Sequence, residues 1–157
     1  MDICRVSFIG HRTVEDFFFI EEQVYSIVKD LISTKEYVEF YVGRNGEFDI
    51  MVASVIKRVK REIDGNNSSL ILVIPYPPAD IDAYEKYYDE VVYPKELYKV
   101  HYKSAITKRN KWLVENSDML VAYVMRDDGG AAQCLKMAIA RGIEIRRVDR
   151  ASVEENK

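Results

Sequence analysis

Cysteine is scarce in this sequence: Cys4 and Cys134 are the two cysteines among 157 residues. They show neither CxxC spacing nor the neighbouring histidines of a zinc site, and two cysteines do not make a disulfide framework. The sequence also lacks an apolar run of the roughly 18 residues that a membrane span needs, and it does not open with a signal-peptide pattern. We therefore expect no metal site, no membrane partner, and a reducing compartment such as the cytoplasm.

Positive charge is also in short supply. The sequence has 23 lysines and arginines against 26 aspartates and glutamates, which gives a formal net charge of −3. Proteins that bind nucleic acid usually carry an excess of basic residues. The densest basic stretch, residues 57–61, lies among apolar residues at helical spacing, and we interpret it as the solvated face of a helix. We therefore do not expect nucleic acid as a partner.

What the sequence does have is a globular composition, 48% hydrophobic and 31% charged, with strand and helix patterns in alternation. Strands are predicted at residues 3–9, 37–42, 69–74, 119–125 and 143–148. Helices are predicted at 15–33, 48–63, 103–116 and 130–141, with a turn at 64–67 and a short helix at about 81–90 in an irregular segment. We expect an α/β, Rossmann-like three-layer domain over residues 1–149, with a mainly parallel sheet of about five strands and a polar tail at 150–157.

Three predicted loops fall at the carboxyl ends of strands, the edge where an open α/β sheet binds ligands. Glycine lets a backbone approach a ligand closely, and the helix N-termini beyond such loops offer free N–H groups to anions. The loops contribute these candidate ligand-binding residues: Gly10, His11 and Arg12; Gly43, Arg44, Asn45, Gly46 and Asp49; Gly129, Gly130, Ala131 and Gln133. A tight strand-to-helix turn explains any single glycine equally well, but three such loops at one edge favour a ligand site.

The charged residues of these loops each have more than one interpretation. Arg12 and Arg44 suit the oxygens of a phosphate or carboxylate, or they form surface ion pairs. His11 and Asp128 are weak candidates for acid–base catalysis, and His11 could equally cap the following backbone or stack on a neighbour. Asp49, in the first turn of its helix, caps N–H groups, holds a ribose hydroxyl or acts as a catalytic carboxylate. The sequence leaves these alternatives open.

Further candidates lie outside the three loops. Tyr76 directly follows the third predicted strand and could stack on a base, although nearby tyrosines more often form a satellite core or a subunit interface. Arg109 and Asn110 fall near the inward side of a predicted helix, where polar side chains need partners. These two residues either support the loops or touch the ligand.

Four motifs, taken in order along the chain, resemble one family. They are Phe8-Ile9-Gly10-His11-Arg12, the stretch YVGRNGEFD at 41–49, Lys108-Arg109-Asn110-Lys111-Trp112, and Gly129-Gly130-Ala131-Ala132. Together they are similar to the short bacterial SLOG proteins of the SMF/DprA and LOG superfamily, and the resemblance covers residues 4–148. It implies a Rossmann-like sheet whose edge binds nucleotides or their derivatives, often within dimers or larger homo-oligomers.

Some members of that superfamily hydrolyse the N-glycosidic bond of nucleoside monophosphates, using a motif with paired glycines followed by a threonine and a glutamate. If Gly129 and Gly130 stand on the paired glycines, Gln133 and Lys136 occupy the places of the threonine and the glutamate. The carboxylate of that chemistry is therefore absent from its usual place.

Our leading hypothesis is that the chain binds a nucleotide or nucleotide-derived small ligand at the carboxyl edge of the sheet, for sensing or sequestration. The sequence establishes no cofactor beyond this expected nucleotide-derived ligand. A hydrolase that acts on an N-glycosidic or phosphate linkage of a nucleotide is the first alternative, and a protein-interaction subunit is the second. We expect a cytoplasmic homo-oligomer, a dimer or larger.

Overall fold

The computed structural model describes residues 1–63 and 65–150. Its strands are β1 (Ile3–Gly10), β2 (Tyr37–Val42), β3 (Ser68–Val73), β4 (Glu90–Val92), β5 (Met119–Tyr123) and β6 (Glu144–Arg147). Its α-helices are α1 (Phe17–Thr34), α2 (Glu47–Glu62), α3 (Ile81–Tyr87), α4 (Tyr102–Glu115) and α5 (Gly130–Arg141), and a 3-10 turn spans Lys95–Leu97. Asp64, in the predicted turn, and residues 151–157, nearly all of the predicted tail, lie outside the described residues.

The six strands form one parallel sheet in the order β4-β3-β2-β1-β5-β6. From β1 the chain builds outward through β2, β3 and β4, and it then returns to add β5 and β6 on the other side. Such a reversal leaves a crevice beyond the carboxyl ends of the two strands where it occurs, here β1 and β5. The predicted α/β, Rossmann-like three-layer architecture is confirmed, and β1 lies near the middle of the sheet.

Hydrophobic side chains from both helical layers hold the sheet between them. Residues of α1 and α2, among them Val24, Val28 and Ile56, pack with Phe8 and Phe40 of the sheet. The other face is covered by α4 and α5, through side chains such as Leu113 and Leu135. Helices on both faces explain why the central strands are nearly continuous apolar runs rather than alternating ones. Among the residues described, none of the helices combines the length and apolar character needed to cross a membrane.

The prediction of about five strands missed β4, which has three residues. The predicted short helix also ends earlier than expected, at Tyr87 instead of residue 90. Two hydrogen bonds of Asp89 explain why the helix ends there and a strand begins. The Asp89 N–H donates to the Leu70 carbonyl oxygen at 2.9 Å, and the Asp89 carboxylate accepts from the Leu70 N–H at 2.7 Å. This contact between residues far apart in the chain brings β4 to the sheet edge. The local hydrophobic periodicity of the sequence therefore does not predict β4.

Candidate functional site

A cleft of about 590 Å³ opens at the carboxyl edge of the sheet, where the ends of β1 and β5 face the start of α5. Gly10 and Tyr123 line it from these two strands, and Gly130 lines it from the helix. The sequence-predicted residues that line it are Gly10, His11, Arg12, Asn45, Asp49, Arg109, Asn110, Gly130 and Ala131. The structure thus brings together residues from all three predicted loops and from α4 at the crevice that the topology creates.

A buried charged pair forms one wall of this cleft. Arg109 is 1% exposed; its Nη1 donates to the Val73 carbonyl oxygen at 3.0 Å and its Nε to Asn110 Oδ1 at 3.0 Å. Asp49 is also buried, and its Oδ2 accepts the Asn45 N–H at 2.9 Å. Burial raises the pKa of Asp49 and lowers that of Arg109, while the Asn45 N–H and the attraction between the two charges oppose these shifts. The pair therefore ties the loop after β2 to α2 and the end of β3 to α4.

The glycines of the second loop are required by close contacts inside the protein. A Cβ atom on Gly43 would lie 2.6 Å from Arg109 Nη1 and 3.0 Å from Asp49 Oδ2. A Cβ atom on Gly46 would lie 2.5 Å from the Cα atom of Arg12, a backbone atom that cannot simply rotate away. These close contacts require glycine at both positions whether or not a ligand binds. At Gly46 the backbone of the second loop packs directly on Arg12 of the first loop.

His11 joins the first loop to the chain that follows β5. Its Nε2 accepts the Met125 N–H at 2.8 Å, and its ring meets that of Tyr123 edge-on at 5.5 Å. Because Nε2 accepts, the neutral ring carries its proton on Nδ1. Burial, with a smaller contribution from Arg126, lowers the pKa of His11 and keeps the ring neutral. The imidazole therefore has a structural role as a backbone acceptor.

The start of α5 lies at the cleft, and the first N–H groups of a helix have no acceptor within the helix itself. Gly129 precedes the helix with φ of 91°, a conformation that favours glycine, and Gly130 and Ala131 line the cleft. Within the described residues, α5 has no acidic side chain in its first turn and no side-chain cap. In α2, by contrast, Glu47 and Asp49 lie in the first turn, and the Glu47 N–H donates to the Arg12 carbonyl oxygen at 2.9 Å. The first N–H groups of α5 thus point a positive partial charge at the cleft.

Two predicted ligand residues, Arg44 and Tyr76, lie in a neighbouring groove of about 190 Å³ instead of the cleft. The Arg44 guanidinium lies over the Tyr84 ring at 5.2 Å, and the Tyr76 hydroxyl donates to the Tyr102 carbonyl oxygen at 3.3 Å. Asn45 lines both the cleft and the groove, so the two form one continuous surface.

The remaining predicted residues lie around the cleft without lining it. Gly43, Gly46 and Gly129 shape the loops as described above, and Gln133 is exposed on α5. The Asp128 side chain is 87% exposed and pairs with Arg126 at 3.3 Å. A carboxylate so open to water has no shielded position from which to act on a ligand in the cleft.

Sequence reasoning missed several lining residues: Thr13, Glu15, Ile106, Tyr123, Met125 and Arg126. Met125 and Arg126 follow β5 at the carboxyl edge, so the rule that identified the other loops could have found them. Glu15 carries no such signal, because its place follows from its N–H donating to the Tyr123 hydroxyl oxygen at 3.0 Å, across the switch point. The cleft is therefore bordered by two exposed arginines, Arg12 and Arg126, and by one exposed carboxylate.

Comparison with known proteins shows a likeness in structure. No protein-family model matches the chain, and no curated protein sequence does so either. The X-ray structure of DNA processing protein A (DprA) from Streptococcus pneumoniae matches with a TM-score of 0.66 and 12% identity, over 92% of this chain and 50% of that one. DprA from Helicobacter pylori, studied for its single-stranded DNA binding mode, matches with a TM-score of 0.62 and 14% identity, over 92% of this chain and 64% of that one.

The exclusion of nucleic acid as a partner, drawn from the net charge of −3, is wrong, because the Helicobacter pylori protein of this fold binds single-stranded DNA. Net charge sums over the whole surface, whereas single strands bind along a local basic groove with aromatic side chains. Arg12, Arg44 and Arg126 gather at one edge of this acidic chain. The architecture that the resemblance of the four motifs implies is confirmed: the chain has the same fold as the matched part of the two DprA structures.

Proposed function

We propose that the cleft at the carboxyl edge binds the phosphate of a nucleotide. The observation that carries the proposal is the uncapped start of α5 at the topological switch point, with Arg12 and Arg126 beside it. Backbone N–H groups and the helix dipole favour an anion there, and guanidinium groups bind phosphate oxygens in pairs. Arg126 is exposed and paired with Asp128, so it can exchange that surface partner for a phosphate at little cost.

The rest of the cleft suits a sugar and a base. Asn45 and Asn110 offer amide donors and acceptors, and Glu15 offers carboxylate oxygens that can accept from ribose hydroxyls. Ile106 and Met125 supply apolar surface. A cleft with a few convergent polar groups on an apolar lining is the usual form of a small-ligand site. A nucleotide-derived small molecule, held for sensing or sequestration, therefore fits the lining.

Single-stranded DNA is the second candidate, favoured by the neighbouring groove. Tyr76 is 40% exposed there, and the Arg44–Tyr84 pair offers a flat cationic face. Consecutive nucleotides could place a phosphate at α5 and a base on this face, because Asn45 joins the two recesses. The Helicobacter pylori protein that shares this fold binds single-stranded DNA.

Hydrolysis receives less support from the contacts. Asp49 is committed to the Asn45 N–H and lies within the field of buried Arg109. The Nε2 lone pair of His11 is committed to Met125, and Asp128 stands outside the cleft lining. A general base needs a free lone pair within reach of the proton it takes. Binding is therefore the function that this arrangement supports best.

Isothermal titration tests the proposal with two probes, thymidine 5′-monophosphate and a short oligothymidylate. We expect wild-type protein to bind at least one of them, and Arg12→Ala to weaken binding roughly tenfold through the lost charged hydrogen bonds. Arg61→Ala is the matched control, because it removes the same exposed charge from the last turn of α2. Binding of the mononucleotide supports the small-ligand form, and binding of the oligonucleotide alone supports the single-strand form. Binding of neither probe, or equal loss in the two variants, would contradict the proposal.

A further inference from the structure

Strand β6 forms one edge of the sheet. Among the described residues β5 is its one strand neighbour, and Glu144, Arg146 and Arg147 are exposed. The opposite edge strand, β4, has three residues and is followed by Pro94. A proline so close to a short edge strand discourages pairing, whereas an uncovered edge strand is a template for another strand. Strand β6 contains no proline and is charged at three of its four residues, so its backbone can pair with a further strand whose charges complement its own.

The backbone of β6 has a defined set of outward groups. The Glu144 N–H donates to the Asp118 carbonyl oxygen at 3.3 Å, and the Val148 N–H donates to the Ala122 carbonyl oxygen at 2.9 Å. In a strand the direction of these groups alternates from one residue to the next. The N–H and C=O groups of Ile145 consequently point away from β5, toward the open edge.

We propose that β6 pairs with β6 of a second copy of this chain, antiparallel and centred on Ile145. A two-fold axis perpendicular to the sheet keeps each side chain on the same face of the joined sheet. Because side chains alternate between the faces along a strand, the numbers of two residues that lie opposite each other must differ by an even number. Centring the axis on Ile145 sets its two outward groups against those of the same residue in the second copy. The two copies then exchange two hydrogen bonds at the axis, as in a hydrogen-bonded antiparallel pair.

The charges along β6 select this register. With Ile145 at the axis, Glu144 of each copy lies opposite Arg146 of the other, which gives two cross-strand ion pairs on one face. An axis one residue later would place Arg146 of one copy directly opposite Arg146 of the other, so that two like charges face each other. Glu144 and Arg146 already lie 3.6 Å apart within one strand and are 57% and 43% exposed, so both can reach across the edge.

Such pairing joins two six-stranded sheets into one, because each copy supplies its outer strand. The strands of the two copies run in opposite directions, so the two carboxyl-edge clefts lie at opposite ends of the joined sheet. Each cleft remains open, and the inference is independent of what binds there.

Charge exchange at the two exposed positions tests the proposal. Arg146→Glu sets Glu144 against a second carboxylate at both pairs, and the double variant Glu144→Arg/Arg146→Glu restores opposite charges in the same register. Sedimentation equilibrium of the full chain at low salt should give twice the 18.3 kDa of one chain for the wild type. The single variant should dissociate at concentrations roughly tenfold higher, and the double variant should return to the wild-type behaviour. Circular dichroism melts establish that all three proteins are folded.

A wild type that sediments as a monomer would overturn the proposal, and so would an Arg146→Glu variant that associates as tightly as the wild type. A double variant that stays dissociated while folded would overturn the register, because restored charge complementarity must restore the pairing.

Discussion

Arg109 and Asp49 illustrate how single residues here serve the frame of the cleft. Both side chains are charged groups with less than a tenth of their surface exposed. Asp49 accepts a backbone N–H from the neighbouring loop, and Arg109 donates to the backbone of β3 and to the Asn110 side chain. Burying such a charge alone is costly, whereas burying it near an opposite charge and a hydrogen-bond partner is tolerated. The sequence left open whether Arg109 supports the loops or touches the ligand. In the structure its guanidinium donates to the carbonyl oxygen of Val73 at the end of β3, and the residue also lines the cleft.

His11 gives the protein a pH dependence at the residue scale. Its folded-state pKa is lowered from 6.5 by burial, so the unfolded chain takes up a proton at a higher pH than the folded chain does. The stability that neutral His11 contributes is therefore fully present above pH 6.5 and is lost as the pH falls below it. Protonation also removes the acceptor for the Met125 N–H.

We predict that the stability advantage of the wild type over His11→Gln shrinks as the pH is lowered from about 7 to about 5. Urea unfolding of both proteins across this range measures the difference, in which the contributions of His101 and of the carboxylates cancel. A difference that stays constant or grows toward low pH would show that His11 does not act as a neutral acceptor.

At the scale of elements, β1 and α2 meet at a contact that tolerates no side chain. A Cβ atom on Gly10 would lie 2.4 Å from two ring atoms of Phe48, which itself stacks on Tyr123 at 5.7 Å. Gly130, at the start of α5, has open space, since the nearest atom to its would-be Cβ is Asn110 Nδ2 at 3.9 Å. The two glycines look alike in sequence but differ in what surrounds them.

We predict that Gly10→Ala lowers the free energy of unfolding by about 1–3 kcal/mol, because Phe48 and the start of α2 must shift. Gly130→Ala should leave it unchanged or raise it by up to about 1 kcal/mol, because alanine is the better helix former. Chemical denaturation of the two variants beside the wild type checks both values. Equal effects at the two positions would mean that the contact between β1 and α2 is not as close as described.

The difference between local signals and contacts of distant residues explains how far the sequence could predict the structure. Strands such as β2 and helices such as α5 were predicted nearly to their ends, because hydrophobic periodicity and loop glycines are local signals. The three-residue β4 was missed, since the backbone of Leu70 positions it from a distance. In the site, glycine loops were identified because they follow strands, whereas Glu15 and Ile106 enter the cleft through packing that no spacing reveals.

At the scale of the whole molecule, the distribution of charge matters more than its sum. The chain has 23 basic and 26 acidic residues, yet three exposed arginines gather at the carboxyl edge of the sheet. Two of them, Arg12 and Arg126, line the cleft together with the start of α5, whose dipole adds to their field. An anionic ligand is therefore expected at that edge in spite of the net charge of −3.

The most direct test of this account is a two-dimensional ¹⁵N NMR titration of the wild-type chain with a short oligothymidylate and with thymidine 5′-monophosphate. We predict that the largest amide shifts cluster at Gly130, Ala131 and Arg12, with Asn45 and Arg44 joining them for the oligonucleotide. They should be lost when Arg12 and Arg126 are both replaced by alanine. Shifts that cluster at the far end of α2, around Lys57 and Arg61, or shifts at the cleft that survive the double replacement, would contradict the assignment of the cleft as the nucleotide phosphate site.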